Sequence, residues 1–131
     1  MTGLQVTALA GGVGAARFLR GVVAALAEDH PGSELTIIGN TADDLRLYGL
    51  HVSPDLDTVL YTLGGGVHDD QGWGRADETF AVQSELAVYG VEPQWFTLGD
   101  RDMATHIVRT QMLGGYSLSQ VTEALSRRWL A

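Results

Sequence analysis

An apolar run over residues 4–10 ends abruptly at Gly11, Gly12, Val13 and Gly14. Its length and glycine stop predict a short buried strand. Apolar side chains then recur at helical spacing, at Phe18, Leu19, Val22, Val23 and Leu26, and predict a helix over 15–27. His30, Pro31 and Gly32 stop that helix. Residues 35–38 form a second β-type run that ends in the polar loop 39–44. Strand, glycine turn, helix and strand make a βαβ unit. The fold expected is therefore α/β: a Rossmann-like parallel sheet with flanking helices.

Beyond this unit the pattern becomes mixed. Residues 45–53, with Leu45, Leu47 and Tyr48, fit a short irregular strand. Ser53 suits an N-cap, Pro54 the first helical position, and Asp55 and Asp57 the first turn, so a helix is expected to about residue 63. Gly64, Gly65 and Gly66 end it, and residues 64–78 read as a long loop. A helix over 79–89 closed by Gly90, a strand over 94–98 and a helix over 100–113 closed by Gly114 and Gly115 follow. Ser117 and Gln120 form a capping box for a last helix to residue 130. Three βα passages make a thin sheet, and no strand follows the last helix. Residues 1–131 are expected to be the N-terminal part of a single Rossmann-like domain whose C-terminal part is absent.

Composition narrows the chemistry. Of 131 residues, 45% are apolar and 18% charged, a balance that supports a folded core. The net charge of -8 argues against duplex nucleic acid or an anionic membrane as a partner. There is no Cys, and all eight basic residues are Arg. Thiolate nucleophiles, Cys-ligated metals, lysine Schiff bases and the P-loop lysine are thereby excluded. No run is long enough to span a membrane and the start lacks a signal-peptide pattern, so the cytoplasm is the expected location. Seventeen glycines, clustered rather than spread, suggest tight turns and close backbone approach.

Four clusters carry candidate chemistry. The turn Gly11, Gly12, Val13, Gly14 presents backbone N–H groups at a helix N-terminus, an arrangement that cradles phosphate, and Arg17 one turn later can clamp a phosphate oxygen. The plain alternative is an ordinary βα turn, since neither the full dinucleotide fingerprint nor a P-loop is present. Asp43, Asp44, Asp55 and Asp57 are hard oxygen donors suited to Mg²⁺, and a carboxylate at 44 or 57 can also act as a base. Their alternative is helix-dipole pairing and a solvated turn. Asp102, His106 and Arg109 share one helix face, with Asp100 a candidate N-cap. The acid and histidine make either a functional pair or a surface contact. Trp73, set between Gly72 and Gly74, suits stacking on a planar ring or plugging a hydrophobic hole. Trp95 and Phe96 read as core.

Taken in order, these motifs resemble one family. The opening from Ala10 to Gly21, Asn40-Thr41-Ala42-Asp43-Asp44, Ser53-Pro54-Asp55-Leu56-Asp57-Thr58, Gly72-Trp73-Gly74, Asp77-Glu78-Thr79 and the stretch from Leu98 to His106 are similar to the 2-phospho-L-lactate transferase family of coenzyme F-420 biosynthesis, in its actinobacterial branch. That resemblance implies transfer of a phospholactyl or phosphoenolpyruvyl group from a guanosine diphosphate-linked lactate or enolpyruvate to the deazaflavin Fo, with Mg²⁺ as cofactor, release of GMP, and a homodimer. It implies nucleotide or phosphate contacts at Gly11, Gly12, Val13, Gly14, Arg17, Asn40 and Thr41. Asp44 and Asp57 are the implied catalytic and metal-binding carboxylates. Asp57, Thr97, Trp73 and Arg75 are the implied deazaflavin contacts, although some relatives carry Lys where Thr97 stands. Family members are longer, so these residues alone are expected to be inactive or to work in an assembly. The competing expectation is a non-enzymatic nucleotide or nucleotide-sugar binding regulator.

Overall fold

The computed structural model describes residues 3–67 and 74–130. Strand β1 (Gln5–Ala10), helix α1 (Gly12–Asp29) and strand β2 (Glu34–Gly39) form the βαβ unit expected from the pattern. The strands pair in parallel, from Gln5 opposite Glu34 to Ala10 opposite Gly39. Side chains alternate across them. Ala8, Ala10 and Ile37 pack with Ala16 and Leu19 of α1 and with Val59 and Leu63. The opposite face carries Thr7, Leu9, Thr36 and Ile38, and there Leu9 is 82% exposed and Ile38 55%. Helix α1 begins at Gly12, three residues earlier than the apolar spacing indicates, because Gly11 in extended backbone serves as its N-cap. Gly12 takes a φ of 68°, a conformation that costs a glycine little.

The irregular strand expected over 45–53 is a tight hairpin of β3 (Leu45–Leu47) and β4 (Leu50–Val52). Tyr48 and Gly49 both have positive φ, 54° and 76°, the combination that matches strand twist in a two-residue turn. Leu47 and Val52 of this hairpin join Leu98 and Met103 in a second core. Helix α2 (Pro54–Leu63) follows directly, and α3 (Ala81–Val88), α4 (Asp100–Met112) and α5 (Leu118–Trp129) complete the chain. The capping box at Ser117 and Gln120 forms as the sequence predicts. None of the helices among the described residues is long and apolar enough to cross a membrane.

Two expectations are corrected. Residues 94–98 do not form a strand. The Gln83 side chain takes the place of a neighbouring strand, donating to Phe96 O at 2.7 Å and accepting from Leu98 N at 2.8 Å. Asp100 does not cap its own helix. Gly99 is the N-cap of α4, and Glu78 accepts from the N–H groups of Arg101 and Asp102 at 2.8 and 3.0 Å. Asp100 instead accepts from Ala81 N at 3.0 Å, Val82 N at 2.9 Å and Thr79 Oγ1 at 2.6 Å, capping α3. Each of the two helices is thus capped by an acid at or just before the start of the other.

The glycine run after α2 is a socket. A Cβ on Gly64 would lie 2.8 Å from Trp129, and one on Gly66 closer still. Trp129 thereby reaches the third core, with Leu60, Tyr61, Val67 and Leu125.

Candidate functional site

Helix α2 presents Asp57 and Tyr61 one turn apart, and α4 presents Asp102, His106 and Arg109 on one face. The two faces meet. His106 and Arg109 are each only 1% exposed. The Arg109 guanidinium ion-pairs with Asp57 Oδ1 through Nη2. Its Nη1 lies 3.3 Å from His106 Nδ1 and 3.3 Å from the carbonyl oxygen of His51. A guanidinium cannot accept a hydrogen bond, so in that contact Nδ1 is the acceptor. Nε2 faces Asp102 Oδ2 at 3.2 Å, without the alignment of a hydrogen bond. The Tyr61 hydroxyl donates to Asp102 Oδ1 at 2.5 Å, with Thr105 Oγ1 at 3.0 Å. The polar cluster is buried, as charges must be only when paired.

Burial and charge separate the two acids. Burial pushes the Asp57 carboxyl up to about 6, against the pull of Arg109, and the nearby Asp102 charge adds to the rise. Burial would raise Asp102 as well, but the His106 ring, the Tyr61 hydroxyl and the Arg109 charge outweigh it and hold that carboxyl below its ordinary value. Burial, together with the charges of Asp57 and Asp102, keeps the Tyr61 phenol protonated. Asp57 Oδ2 is buried without a hydrogen-bond partner among the described residues, and lies 3.7 Å from His106 Nδ1. Oxygens of Asp57 and Asp102 and a nitrogen of His106 all lie within 4.8 Å of one another, close enough to share a cation.

These residues open into a cavity of about 510 Å³. Asp57, Tyr61, Asp102 and His106 line one side. Gly12 and Val13 of the first βα turn, Asp55, Thr97 and Trp95 line the same space. The βαβ connection places the glycine turn at the carboxyl end of β1, where open α/β sheets bind ligands. Gly12 and Val13, expected from the sequence to contact nucleotide or phosphate, and Asp57 and Thr97, expected to contact the deazaflavin, thus line one cavity.

The other expected residues are distributed around it. Gly11 lies beside Asn40 and Asp55, whose side chains join through Asn40 Nδ2 to Asp55 Oδ2 at 2.7 Å. Asn40 Nδ2 also donates to Asp43 Oδ2 at 3.1 Å, and Thr41 O accepts from Asp44 N at 3.1 Å. Gly14 and Arg17 are exposed on α1. Asp44 Oδ2 accepts from Ser53 Oγ at 2.8 Å and contacts His51 Nε2 at 2.9 Å, while its Oδ1 is buried without a partner among the described residues. Arg75 is buried, its guanidinium 4.7 Å from the Trp129 ring and 5.5 Å from that of Tyr61. Trp73 lies outside the described residues.

Sequence reasoning missed Tyr61 and assigned Trp95 to the core. Tyr61 had a signal: it stands four residues after Asp57, as His106 stands four after Asp102, so two i,i+4 pairs on facing helices interlock. Trp95 had none, because its exposure follows from the failure of residues 94–98 to form a strand.

A βαβ unit whose glycine turn shares a cavity with the buried Asp57 and His106 and with Asp102 defines an α/β protein with a cavity at the carboxyl end of its parallel strands, the end where open sheets of this class bind ligands. Within that class the chain belongs to the family of 2-phospho-L-lactate transferase CofD, whose model matches residues 6–131. It is 65% identical over 127 residues to a phosphoenolpyruvate transferase of Kitasatospora aureofaciens, covering 96% of this chain and 39% of that protein. It is 61% identical over 131 residues to the phosphoenolpyruvate transferase of Thermobifida fusca, covering 96% and 41%. The phosphoenolpyruvate transferase of Mycolicibacterium smegmatis is 54% identical over 132 residues, with 96% and 40% covered. The chain therefore spans about two fifths of the length of these relatives.

Proposed function

We propose that this chain carries the acceptor and diphosphate part of a site that transfers a phosphoenolpyruvyl or phospholactyl group from a guanosine diphosphate-linked donor to the deazaflavin Fo. The observation that carries this reading is the shared cavity: Gly12 and Val13 of the glycine turn and Asp57 border one space of about 510 Å³. In the reaction the terminal ribityl hydroxyl of Fo attacks the phosphorus bearing the lactyl or enolpyruvyl group. The bond from that phosphorus to the bridging oxygen breaks, and GMP leaves with it. Such transfers depend on positioning and charge neutralisation more than on covalent chemistry.

The residues divide that work. The glycine turn holds diphosphate oxygens against the α1 N-terminus, whose N–H groups have no side-chain cap. Asp57 Oδ2, buried and without a partner among the described residues, receives the hydroxyl proton. Arg109 fixes the other oxygen of the same carboxylate. Asp44 Oδ1, buried without a partner among the described residues, is a hard oxygen of the kind that would hold Mg²⁺, which would neutralise the donor's diphosphate. Asp102 adds a second hard oxygen beside His106.

Titration of Fo fluorescence with the purified chain, with and without Mg²⁺ and GDP, tests the reading. Saturable binding that weakens at least tenfold in Asp57→Ala is expected, the scale of losing one buried charged contact. Equal binding by Asp57→Ala, or no binding by a chain that circular dichroism shows to be folded, would refute it.

A further inference from the structure

Trp95 breaks the rule that large aromatic side chains bury themselves. It is 73% exposed, although it lines the cavity that also contains Asp57. Phe18 and Tyr89 are exposed too, at 73% and 81%, but neither borders that cavity. Trp95 is also held in place. Phe96 packs edge-on against it, with ring centres 5.7 Å apart and planes at 83°. Phe96 itself rests on the core of Leu47, Val52, Leu98 and Met103. The backbone that follows is pinned by Gln83, which bonds Phe96 O and Leu98 N. A fixed indole with an open face costs water-exposed apolar area and gains nothing from the fold. It is suited to receive a flat aromatic ligand.

We propose that Trp95 is a specificity-determining residue whose indole face stacks on the fused heteroaromatic ring of the acceptor, leaving the polyol chain to run inward to Asp57. The inference rests on the acceptor reading above and adds the part of the ligand that reading leaves without a platform. A ring stacked at the mouth selects planar acceptors over simple polyols, because the chain alone forfeits the stacking contact. Thr97, two residues further on, is also in the cavity wall.

The test uses Fo as the probe with the wild-type chain, Trp95→Phe and Trp95→Leu, read by Fo fluorescence and by energy transfer from tryptophan to bound Fo. Leucine keeps apolar bulk and loses the π face. Trp95→Leu is expected to weaken binding about five- to tenfold, and Trp95→Phe to restore most of the affinity. Trp95→Phe should nevertheless lose most of the energy transfer, a change that a merely structural role would not produce. Equal affinity of Trp95→Leu and wild type overturns the proposal while leaving the acceptor reading intact. Failure of the folded wild-type chain to bind Fo overturns both.

Discussion

The two walls of the cavity are built on opposite plans. The wall from α2 and α4 is made of charged side chains that hold one another: Arg109 on Asp57, His106 between Arg109 and Asp102, Tyr61 on Asp102. The wall from the first βα turn is made of Gly12 and Val13, which carry no charge, and Arg17 one turn further along α1 is exposed. In the first wall recognition and stability share the same atoms. In the second they are separate. Substitutions in the two walls should therefore differ in kind, with folding defects on one side and binding defects on the other.

The largest effect is expected at Arg109. Arg109→Ala leaves the Asp57 carboxylate buried without its partner and should cost about 3–5 kcal/mol in urea unfolding. A loss below about 1 kcal/mol would show that the cluster does not hold the fold together.

The next effect is a pH dependence. Asp57 has a pKa of about 6 in the folded chain against 3.8 in its ordinary state. Between those values the folded chain binds more protons than the unfolded one, so the Asp57 contribution to stability falls as pH rises and is constant above about 6. The difference amounts to ~3 kcal/mol. Asp57→Asn should remove this slope, as seen by comparing unfolding free energies of the two proteins from pH 4 to pH 7. Matching slopes would mean that Asp57 is not desolvated. Asp102 acts with the opposite sign. Its lowered pKa stabilises the fold above its ordinary range, and that contribution is lost as pH falls.

A third substitution tests packing away from both walls. Gly66→Ala should destabilise by about 1–3 kcal/mol, because its Cβ collides with the Trp129 ring. A thermal melt unchanged from wild type would show that Trp129 can leave its socket without loss. The smallest folding effect is expected in the open wall. Arg17→Ala should change stability by less than about 0.5 kcal/mol yet weaken GDP binding. Calorimetry with GDP and a parallel melt separate the two. A clear loss of stability with intact binding would reverse the contrast between the walls.

The sequence makes the open wall easier to read than the closed one. Gly11, Gly12, Val13 and Gly14 announce a turn because backbone geometry is local, and the apolar spacing of α1 follows directly. The Ser117 and Gln120 capping box is equally local, since both partners lie within one turn. The inward face of α4 is visible in the spacing of Asp102, His106 and Arg109. What that face meets is not. The pairing of Arg109 with Asp57 joins residues 52 positions apart, and no pattern within one helix encodes it. Residues 94–98 show the limit in another way. Their composition favours a strand, yet a single side chain, Gln83, bonds Phe96 O and Leu98 N from outside any sheet. Asp100 had the right residue type for a cap and was assigned to the wrong helix, because capping depends on which helix start lies nearest in space.

That exchange of caps couples the order of α3 to that of α4. Helix α3 buries none of its side chains, so little besides its N-terminus and Gln83 fixes it. Release of Asp100 frees the start of α3, and release of Glu78 frees the start of α4 and the backbone of Asp102 within it. Amide protons at the beginnings of both helices should then exchange with solvent in a single shared opening event, with the floor of the cavity opening when they do.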